Sequence, residues 1–293
     1  MLHKLIRGAF NPLSPLLLFP FLLGAQGSAP EHPSASSSPR YTCEQMEKFL
    51  QSAVIKSQKS IPKGVTAPSR ATLSDGQITH DAAIETIHEA KARFEGTRGT
   101  EMNFEDKWEF DVAGYRLAKL LELNMVPPYV ERKVGGHSAA MSWWVDNTIM
   151  EADRVKRKTQ PPDLDSWNKE MYSLRVFDQL IYDTDDNLTN FLITPDYHLW
   201  RIDFTRAFRM QKDLKSAADL VKCDRHLLAK LRELNKPVLK KEMKGYITDT
   251  QIDGLLARRD KIVQFFDGEV ARKGEGAVLY DIPRTQEACG VGL

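Results

Sequence analysis

Hydrophobic and polar residues alternate in the first half of the chain in a way that predicts strands. Between residues 61 and 90, β-forming residues lie on both sides of a turn at Asp75-Gly76, which predicts a hairpin. The segment "YVERKVGGHSAAMSWWV" predicts a second hairpin that turns at Gly135-Gly136. One short helix precedes both hairpins, with Thr42 as its cap and its end near Val54.

Helical spacing of apolar residues dominates the rest of the chain. Asn103 is predicted to cap a helix that ends near residues 123–124, before Pro127-Pro128. Asp165 is predicted to cap a helix over residues 166–182. Further helices are expected over 225–234 and 237–246, and a long one from Thr248 to just before Gly274. This order predicts an α+β protein with a strand-rich N-lobe, residues 41–148, and a mainly helical C-lobe, residues 149–285.

The first 40 residues are unlike the rest of the chain. Lys4 and Arg7 precede the apolar run 16–23, and small residues follow it, so residues 1–27 are predicted to be a signal peptide. The run is shorter than the roughly 18 residues that a membrane span needs, so no stable span is expected after signal removal. Residues 28–40 are predicted to be a Ser/Pro-rich linker, and residues 286–293 a disordered tail.

This N-terminus indicates an exported protein, either periplasmic or secreted, or in a secretory-pathway lumen if the source is eukaryotic. An uncleaved anchor or a wrongly chosen start codon is the alternative. The 293 residues carry a net charge of +1, which gives no reason to expect a nucleic-acid partner. Cys43 and Cys223 are compatible with one disulfide bond or with two buried thiols. The histidines form no ligand cluster, which argues against a zinc enzyme.

The segment "DTDDNLTNFLITPDYHLWRIDF", residues 183–204, contains the strongest candidate chemistry. Its first residues resemble a calcium loop, but Leu188 and Thr194 stand where such a loop needs Gly and Glu. A solvated surface turn would explain the acidic residues but not the apolar hairpin that follows. That hairpin holds Asn190 at one root and Asp203 at the other, and their oxygens suit Mg²⁺ beside substrate phosphates. Asp185 precedes Asn190 by five residues and is expected on the same loop.

Asp-x-x-x-x-Asn, followed by Asp-Phe thirteen residues after the Asn, resembles the catalytic loop and metal-binding segment of the protein-kinase-like fold. The amino-acid sequence around this motif resembles atypical kinases more than ordinary protein kinases. It is similar to secretory-pathway kinases of the four-jointed type, HipA-type kinases and phosphoinositide-kinase-like proteins. The resemblance covers roughly residues 60–210. It implies that Asp185 is the catalytic base for a hydroxyl acceptor, and that Asn190 and Asp203 bind the metal. ATP and Mg²⁺ or Mn²⁺ are the implied cofactors.

Several residues depart from the pattern of these kinases. Thr205 replaces the glycine expected after Asp-Phe, and the phosphate loop carries only Gly64. Glu85 stands where a strand would supply the phosphate-binding lysine. Lys63 and Lys91 are the candidate substitutes, with the surface-charge interpretation equally open for both. Asp111, rather than Glu109, is the better candidate for the acid that partners such a lysine.

Two functions of different classes follow from these residues. The first is an exported phosphotransferase that moves the γ-phosphate of ATP to a hydroxyl on a protein, sugar or lipid. The second is a pseudokinase that uses the same fold as a binding module, which Glu85 and the thin phosphate loop favour. A third interpretation, in which the acidic hairpin only stabilises a helical domain, explains fewer of the residues. Trp143-Trp144 either line a nucleotide pocket between the lobes or belong to the core.

Overall fold

The computed structural model describes residues 41–61, 68–96, 99–185 and 187–283, all of which belong to one compact unit. The first predicted segments, 1–27 and 28–40, lie outside the described residues, as do Lys63, Gly64 and the tail 286–293. Within the described part, no helix has both the length and the apolar character needed to cross a bilayer.

A five-stranded antiparallel sheet forms the centre of the N-terminal half. Its strand order is β1-β2-β3-β7-β6. Both predicted hairpins are present, because β3 follows the turn after β2 and β7 follows the turn after β6. The strands are β1 Val54–Ser60, β2 Ser69–Ser74, β3 Thr79–Glu85, β6 Tyr129–Val134 and β7 His137–Trp143.

Two helices flank this sheet. The first, α1 (Cys43–Ser52), begins at the predicted cap, where the Thr42 side chain accepts from the Gln45 amide and the Gln45 side chain accepts from the Thr42 amide. Its buried residues pack with those of β2, β3 and β7 into one apolar cluster. The second, α2 (Glu109–Leu120), belongs to the larger cluster that continues into the C-terminal half. The α2 helix therefore joins the two halves through a shared core.

The predicted helix start at Asn103 is wrong. Residues around it form strand β5 (Gly99–Lys107), which pairs with β4 (His88–Gly96) as a separate two-stranded hairpin. Asn103 itself has a positive φ of 53°, and Phe104 beside it is buried against Phe94, with 4.2 Å between the ring centroids. The apolar face assigned to one long helix belongs only to its C-terminal part, which is α2. Pairing with a strand about ten residues earlier overrides the capping pattern.

The C-terminal half is mainly helical, as predicted. It contains a small sheet of order β10-β9-β8, in which β9 and β10 form the predicted acidic-segment hairpin. The elements are β8 Ile149–Met150, α3 Glu151–Arg157, α4 Leu164–Ile181, β9 Phe191–Ile193, β10 Leu199–Arg201, β11 Cys223–Asp224, α5 Arg225–Glu233, α6 Lys236–Glu242, α7 Asp249–Lys273, α8 Glu275–Val278 and β12 Leu279–Tyr280.

Two boundaries in this half differ from the predictions, and one agrees in detail. Asp163, not Asp165, caps α4, because its carboxylate accepts from the amides of residues 165 and 166. Helix α6 ends at Glu242, four residues earlier than expected. The capping box of Thr248 and Gln251 starts α7 as predicted. Cys223 is a buried free thiol, so the disulfide bond between Cys43 and Cys223 does not form.

Candidate active site

A large cavity lies between the five-stranded sheet and the loops that follow α4 and β10. Its volume is about 1580 Å³, above the range of roughly 300–1,000 Å³ that is typical of small-molecule sites. The β4–β5 hairpin forms one wall, and Trp143 and Trp144 line another. Trp143 also belongs to the core, where its ring stacks on His80 with 3.8 Å between centroids. Trp143 therefore lines the cavity and also belongs to the core, and both environments were considered for this Trp pair.

Asp185, Asn190 and Asp203 all line this cavity. The Asn190 side chain donates from Nδ2 to the backbone oxygen of Asp185, at 3.0 Å. The backbone oxygen of Asn190 accepts from the Ile202 amide at 3.0 Å, one residue before Asp203. These two hydrogen bonds fix the loop that carries Asp185 to the roots of the β9–β10 hairpin. The three residues that the sequence spacing singled out therefore line the same cavity.

Asp203 adopts a left-handed backbone conformation, with φ at 62°. This conformation is uncommon for a residue other than glycine, and such strain concentrates at functional sites. Thr205 holds the carboxylate, donating to Oδ1 from its hydroxyl at 3.0 Å and from its amide at 3.4 Å. Burial raises the pKa of the Asp203 carboxyl, although the Arg201 guanidinium opposes the rise. Thr205, which replaces the expected glycine, therefore orients the candidate metal ligand.

The backbone on either side of Asp203 is bound to the N-terminal half. The Asp203 amide donates to the Tyr129 hydroxyl at 3.3 Å, and the Phe204 amide donates to Asp111 Oδ1 at 2.7 Å. Burial, together with the nearby Asp203 carboxylate, raises the pKa of the Asp111 carboxyl well above its usual value. Phe204 is fully buried and lies against α2, close to Gly114. Asp111 thus positions the segment that carries Asp203.

A buried arginine, Arg201, anchors the acidic loop to α4. Arg201 forms ion pairs with Asp178 on α4 and with Asp183, and it also donates to the backbone oxygens of Ile202 and Asp203. Its side chain is completely buried. Burial opposes the charge, yet the two carboxylates raise the pKa of the guanidinium overall. One residue therefore links α4, the loop before Asp185 and the segment around Asp203.

The donor set at the roots of the hairpin fits a hard divalent cation. Carboxylate and amide oxygens are ligands that Mg²⁺ and Mn²⁺ prefer, and such ions usually complete their shell with water and substrate phosphates. Thr205 occupies Oδ1 of Asp203, and no hydrogen bond from a described residue engages Oδ2. No group of three or more His, Cys, Asp or Glu side chains able to hold a metal occurs among the described residues. Asn190 and Asp203 are therefore the candidate protein ligands for such an ion.

The described residues that the sequence predicted near the phosphates have other partners in the structure. Lys91 lies on β4 and lines the cavity, but its side chain is 47% exposed and pairs with Glu89 at 2.6 Å. Glu85 lines the cavity at the end of β3, where its Oε1 accepts from the amides of Thr86 and Ile87. Asp111 lies against the Phe204 amide. The sequence predicted a lysine as the partner of Asp111, whereas Asp111 accepts a hydrogen bond from the backbone of the segment that follows Asp203.

Sequence reasoning missed two arginines and a glutamate beside the site. Arg206 and Arg209 follow Asp203 closely and line the cavity, and both form ion pairs with Glu101 on β5. The segment "DFTRAFR" does show two basic residues shortly after the Asp-Phe of the candidate metal site, which was the available signal. Glu101 lies on a strand that was not predicted, so its contact with the two arginines could not be expected from the sequence.

The fold resembles solved structures of atypical kinases. A hydra Fam20 structure determined with sugar superposes with a TM-score of 0.62 at 13% identity, covering 82% of this chain and 92% of that one. The Golgi casein kinase superposes with a TM-score of 0.56 at 12% identity, covering 83% and 80%. Its complex with Mn and ADP gives the same TM-score and coverage at 11% identity. No protein-family model matches the sequence. No curated protein sequence matches it either.

These similarities define the fold of the chain. It is an α+β protein with the bilobal, atypical protein-kinase-like fold, as the sequence predicted. The strand-rich N-lobe contains the five-stranded sheet, and the C-lobe is mainly helical.

Proposed function

We propose that the chain is a kinase-like phosphotransferase that moves the γ-phosphate of ATP to a hydroxyl acceptor. The observation that carries this proposal is the convergence of Asp185, Asn190 and Asp203 on one cavity within a kinase-like fold. A nucleotide with a divalent metal is the cofactor pair, and the Mn and ADP bound to the Golgi casein kinase support this choice. The acceptor belongs to a protein, a sugar or a lipid.

Each of the three side chains has a separate role in this proposal. Asp185 accepts the proton of the acceptor hydroxyl, in the position that catalytic aspartates occupy in kinases. Asn190 and Asp203 hold Mg²⁺ or Mn²⁺, which neutralises charge on the phosphates when it is bound. Thr205 donates to the Asp203 carboxylate, and the Asn190 side chain donates to the backbone oxygen of Asp185, so both residues help to position the segments that carry the two aspartates. Catalysis then depends mainly on positioning and on electrostatic stabilisation.

Thermal melting with ATP and Mg²⁺ or Mn²⁺ tests the proposal. A ligand that binds only the folded state should add about 2.7 kcal/mol of stability at a hundredfold excess over its dissociation constant. We expect a metal-dependent rise of the melting midpoint in the native chain, and its loss in Asp203→Ala. Asp185→Asn should keep the rise but abolish transfer from radiolabelled ATP, whether the acceptor is the chain itself or water. A well-folded chain that shows no rise with any nucleotide would overturn the phosphotransferase proposal.

A pseudokinase is the second candidate, because Glu85 lines the cavity at the strand end where a kinase carries lysine. A carboxylate there repels phosphate, so binding without transfer is the expected behaviour of this candidate. The same experiment separates the two functions. Nucleotide binding that depends on Asp203, with no transfer in the native chain, would favour the pseudokinase.

Export is part of the proposal. The support is the predicted signal peptide at residues 1–27 and the Golgi location in the name of one similar structure. The domain boundaries proposed for the mature chain are 41–148 for the N-lobe and 149–285 for the C-lobe. Expression with residues 1–27 fused to a reporter enzyme tests export directly.

A further inference from the structure

The cavity has a shortage of positive charge for a nucleotide. Triphosphates are held in kinase-like sites by a lysine together with metal ions. On β3 the corresponding residue is Glu85, and Asp106 and Asp111 add further carboxyl groups to the lining. Among the described residues that line the cavity, the cationic ones are Lys91, Arg157, Arg206 and Arg209. These four residues are therefore the candidates for the phosphate-binding group in the described part of the cavity.

Arg206 and Arg209 are attached to the loop that carries the candidate catalytic base. The backbone oxygen of Arg206 accepts from the Thr184 amide at 3.2 Å and from its hydroxyl at 3.1 Å. The Arg209 guanidinium donates from Nη2 to the Thr184 hydroxyl at 3.3 Å. Thr184 directly precedes Asp185 in the chain. The two arginines are consequently fixed beside the residues proposed to act on the terminal phosphate.

The two guanidinium groups have unused hydrogen-bond donors. Arg209 is only 4% exposed, and its Nε and Nη1 are buried without a hydrogen-bond partner. The Nε of Arg206 is likewise buried and without a partner. Leaving a buried donor unsatisfied is costly, so native structures rarely contain three such N–H groups together without a reason. Both residues line the cavity, which allows a ligand oxyanion to supply the missing acceptors.

A carboxylate already shows where that oxyanion would lie. Glu101 reaches from β5 with Oε2 at 3.0 Å from Arg206 Nη2, and with Oε1 at 2.7 Å from Arg209 Nη2. A single carboxylate therefore lies between the two guanidinium groups, each of which meets it through one nitrogen and has further N–H donors available for a phosphate. Glu101 itself lines the cavity and is 25% exposed.

The other two cations are poorer candidates. Lys91 is half exposed and already paired with Glu89, and its ammonium also lies 5.8 Å from the centroid of the Phe104 ring. Arg157 ends α3 and is exposed. Each of these two exposed side chains would lose more conformational entropy on binding a phosphate than Arg209, which is buried and already oriented.

We propose that Arg206 and Arg209 bind the phosphate chain of the nucleotide, in place of the lysine that β3 lacks. Glu101 occupies the pair when no nucleotide is bound, and the phosphate displaces it. This inference rests on the proposed function for the identity of the ligand. An inorganic polyphosphate carries the same chain of phosphate groups. The experiment below therefore distinguishes polyphosphate binding from nucleotide binding.

Calorimetric titration with adenosine, ADP and ATP, in the presence of Mg²⁺, tests the inference. Arg206→Met should weaken ATP binding about tenfold to a hundredfold, the range expected for hydrogen bonds to a charged group. Arg209→Lys keeps the charge but loses the fork, and it should weaken ATP binding in the same direction. Adenosine lacks phosphates, so its affinity should be unchanged in both variants. Glu101→Gln should bind ATP more tightly than the native chain, because the competing carboxylate is gone.

Arg93→Met is the matched control. Arg93 lies on the same hairpin and pairs with Glu95, but it does not line the cavity, and its side chain is 66% exposed. Its loss changes the net charge equally and should leave ATP affinity as it is. Lys91→Met tests the rival cation directly. Weaker ATP binding in Lys91→Met, with native affinity in Arg206→Met, would overturn the inference.

Failure of the proposed function has a different signature from failure of this inference. A native chain that binds ATP no more tightly than adenosine would overturn the phosphate role of the arginines and leave nucleotide binding intact. A native chain that binds no nucleotide would contradict the proposed function. In that case inorganic tripolyphosphate tests the arginine pair alone. A melting shift that Arg206→Met abolishes would support the anion site, and the absence of any shift would overturn it.

Discussion

At the scale of single residues, the site depends on one buried cation. Arg201 lies between Asp178 and Asp183, and it also contacts the backbone oxygens of residues 202 and 203. Such buried ion pairs contribute little net stability when intact, because desolvation offsets the attraction. Removing one partner is far more costly, since the other charges stay buried without it.

Arg201→Met should therefore lower the free energy of unfolding by about 3–5 kcal/mol. Urea denaturation of the native chain and the variant measures the difference. Arg272→Met is the control, because Arg272 pairs with Glu269 on the surface and its side chain is 64% exposed. An exposed pair contributes only about 0–1 kcal/mol. Equal losses in the two variants would show that Arg201 does not hold the acidic loop.

Gly114 is a second residue with a direct effect on the site. A Cβ at this position of α2 would lie 2.7 Å from Cδ2 of the buried Phe204 ring. Gly114→Ala should displace Phe204, with a loss of about 1–3 kcal/mol of stability from overpacking. Because Phe204 follows Asp203, the melting shift with ATP and metal should shrink as well.

Gly268→Ala is the matched control for this substitution. Gly268 lies in α7, and a Cβ there meets nothing within 4 Å. The same change should raise stability by about 0.5–1 kcal/mol, since alanine is the better helix former. Unfolding curves of both variants give the comparison. A stabilised Gly114→Ala protein would show that Phe204 has room to move.

At the scale of elements, the β9–β10 hairpin is held to its neighbours by a histidine. His198 Nδ1 lies 2.9 Å from Glu170 Oε1 on α4, and Nε2 lies 2.9 Å from the backbone oxygen of Asn124. Both partners are acceptors, so both ring nitrogens donate only in the charged imidazolium. Burial opposes that charge, but the hydrogen bond and attraction from Glu170 raise the pKa of His198 overall.

Stability should consequently depend on pH through His198. Since its folded pKa lies above the unfolded value of about 6.5, its contribution is complete below pH 6.5 and is lost as pH rises through the folded pKa. Urea midpoints between pH 6 and pH 9 measure the decline. His198→Gln should flatten it, whereas His137→Gln should not, because His137 is exposed and pairs with no described acid. An unchanged slope in His198→Gln would exclude this histidine as the cause.

The elements also show what the sequence could predict. Local signals were sufficient for α1 and α7, whose capping boxes are contained within four residues, and for the hairpins with compact turns. The β4–β5 hairpin was not predictable in the same way, because its pairing depends on cross-strand contacts such as Phe94 with Phe104. Asn103 is of a residue type that commonly caps helices, yet those cross-strand contacts place it within β5.

At the scale of the whole molecule, spacing along the chain was enough to place Asp185, Asn190 and Asp203 on the lining of one cavity. Asp185, Asn190 and Asp203 lie on one loop and one hairpin, so their separation in sequence limits their separation in space. The residues proposed to bind phosphate do not share this property. Glu101 meets Arg206 and Arg209 from more than ninety residues away, and only the folded chain brings β5 onto the C-lobe loop.

The attachment of Asp203 to the N-lobe has a consequence for shortened forms of the protein. Tyr129 accepts a hydrogen bond from the backbone amide of Asp203, and Asp111 accepts one from the backbone amide of Phe204. A fragment that starts at residue 149 would retain the whole Asp-x-x-x-x-Asn and Asp-Phe signature, yet it would lack both acceptors. Splicing or proteolysis that removes the first half therefore leaves a recognisable motif without the scaffold that orients Asp203, its candidate metal ligand. In such a fragment, an intact signature is no evidence of a working site.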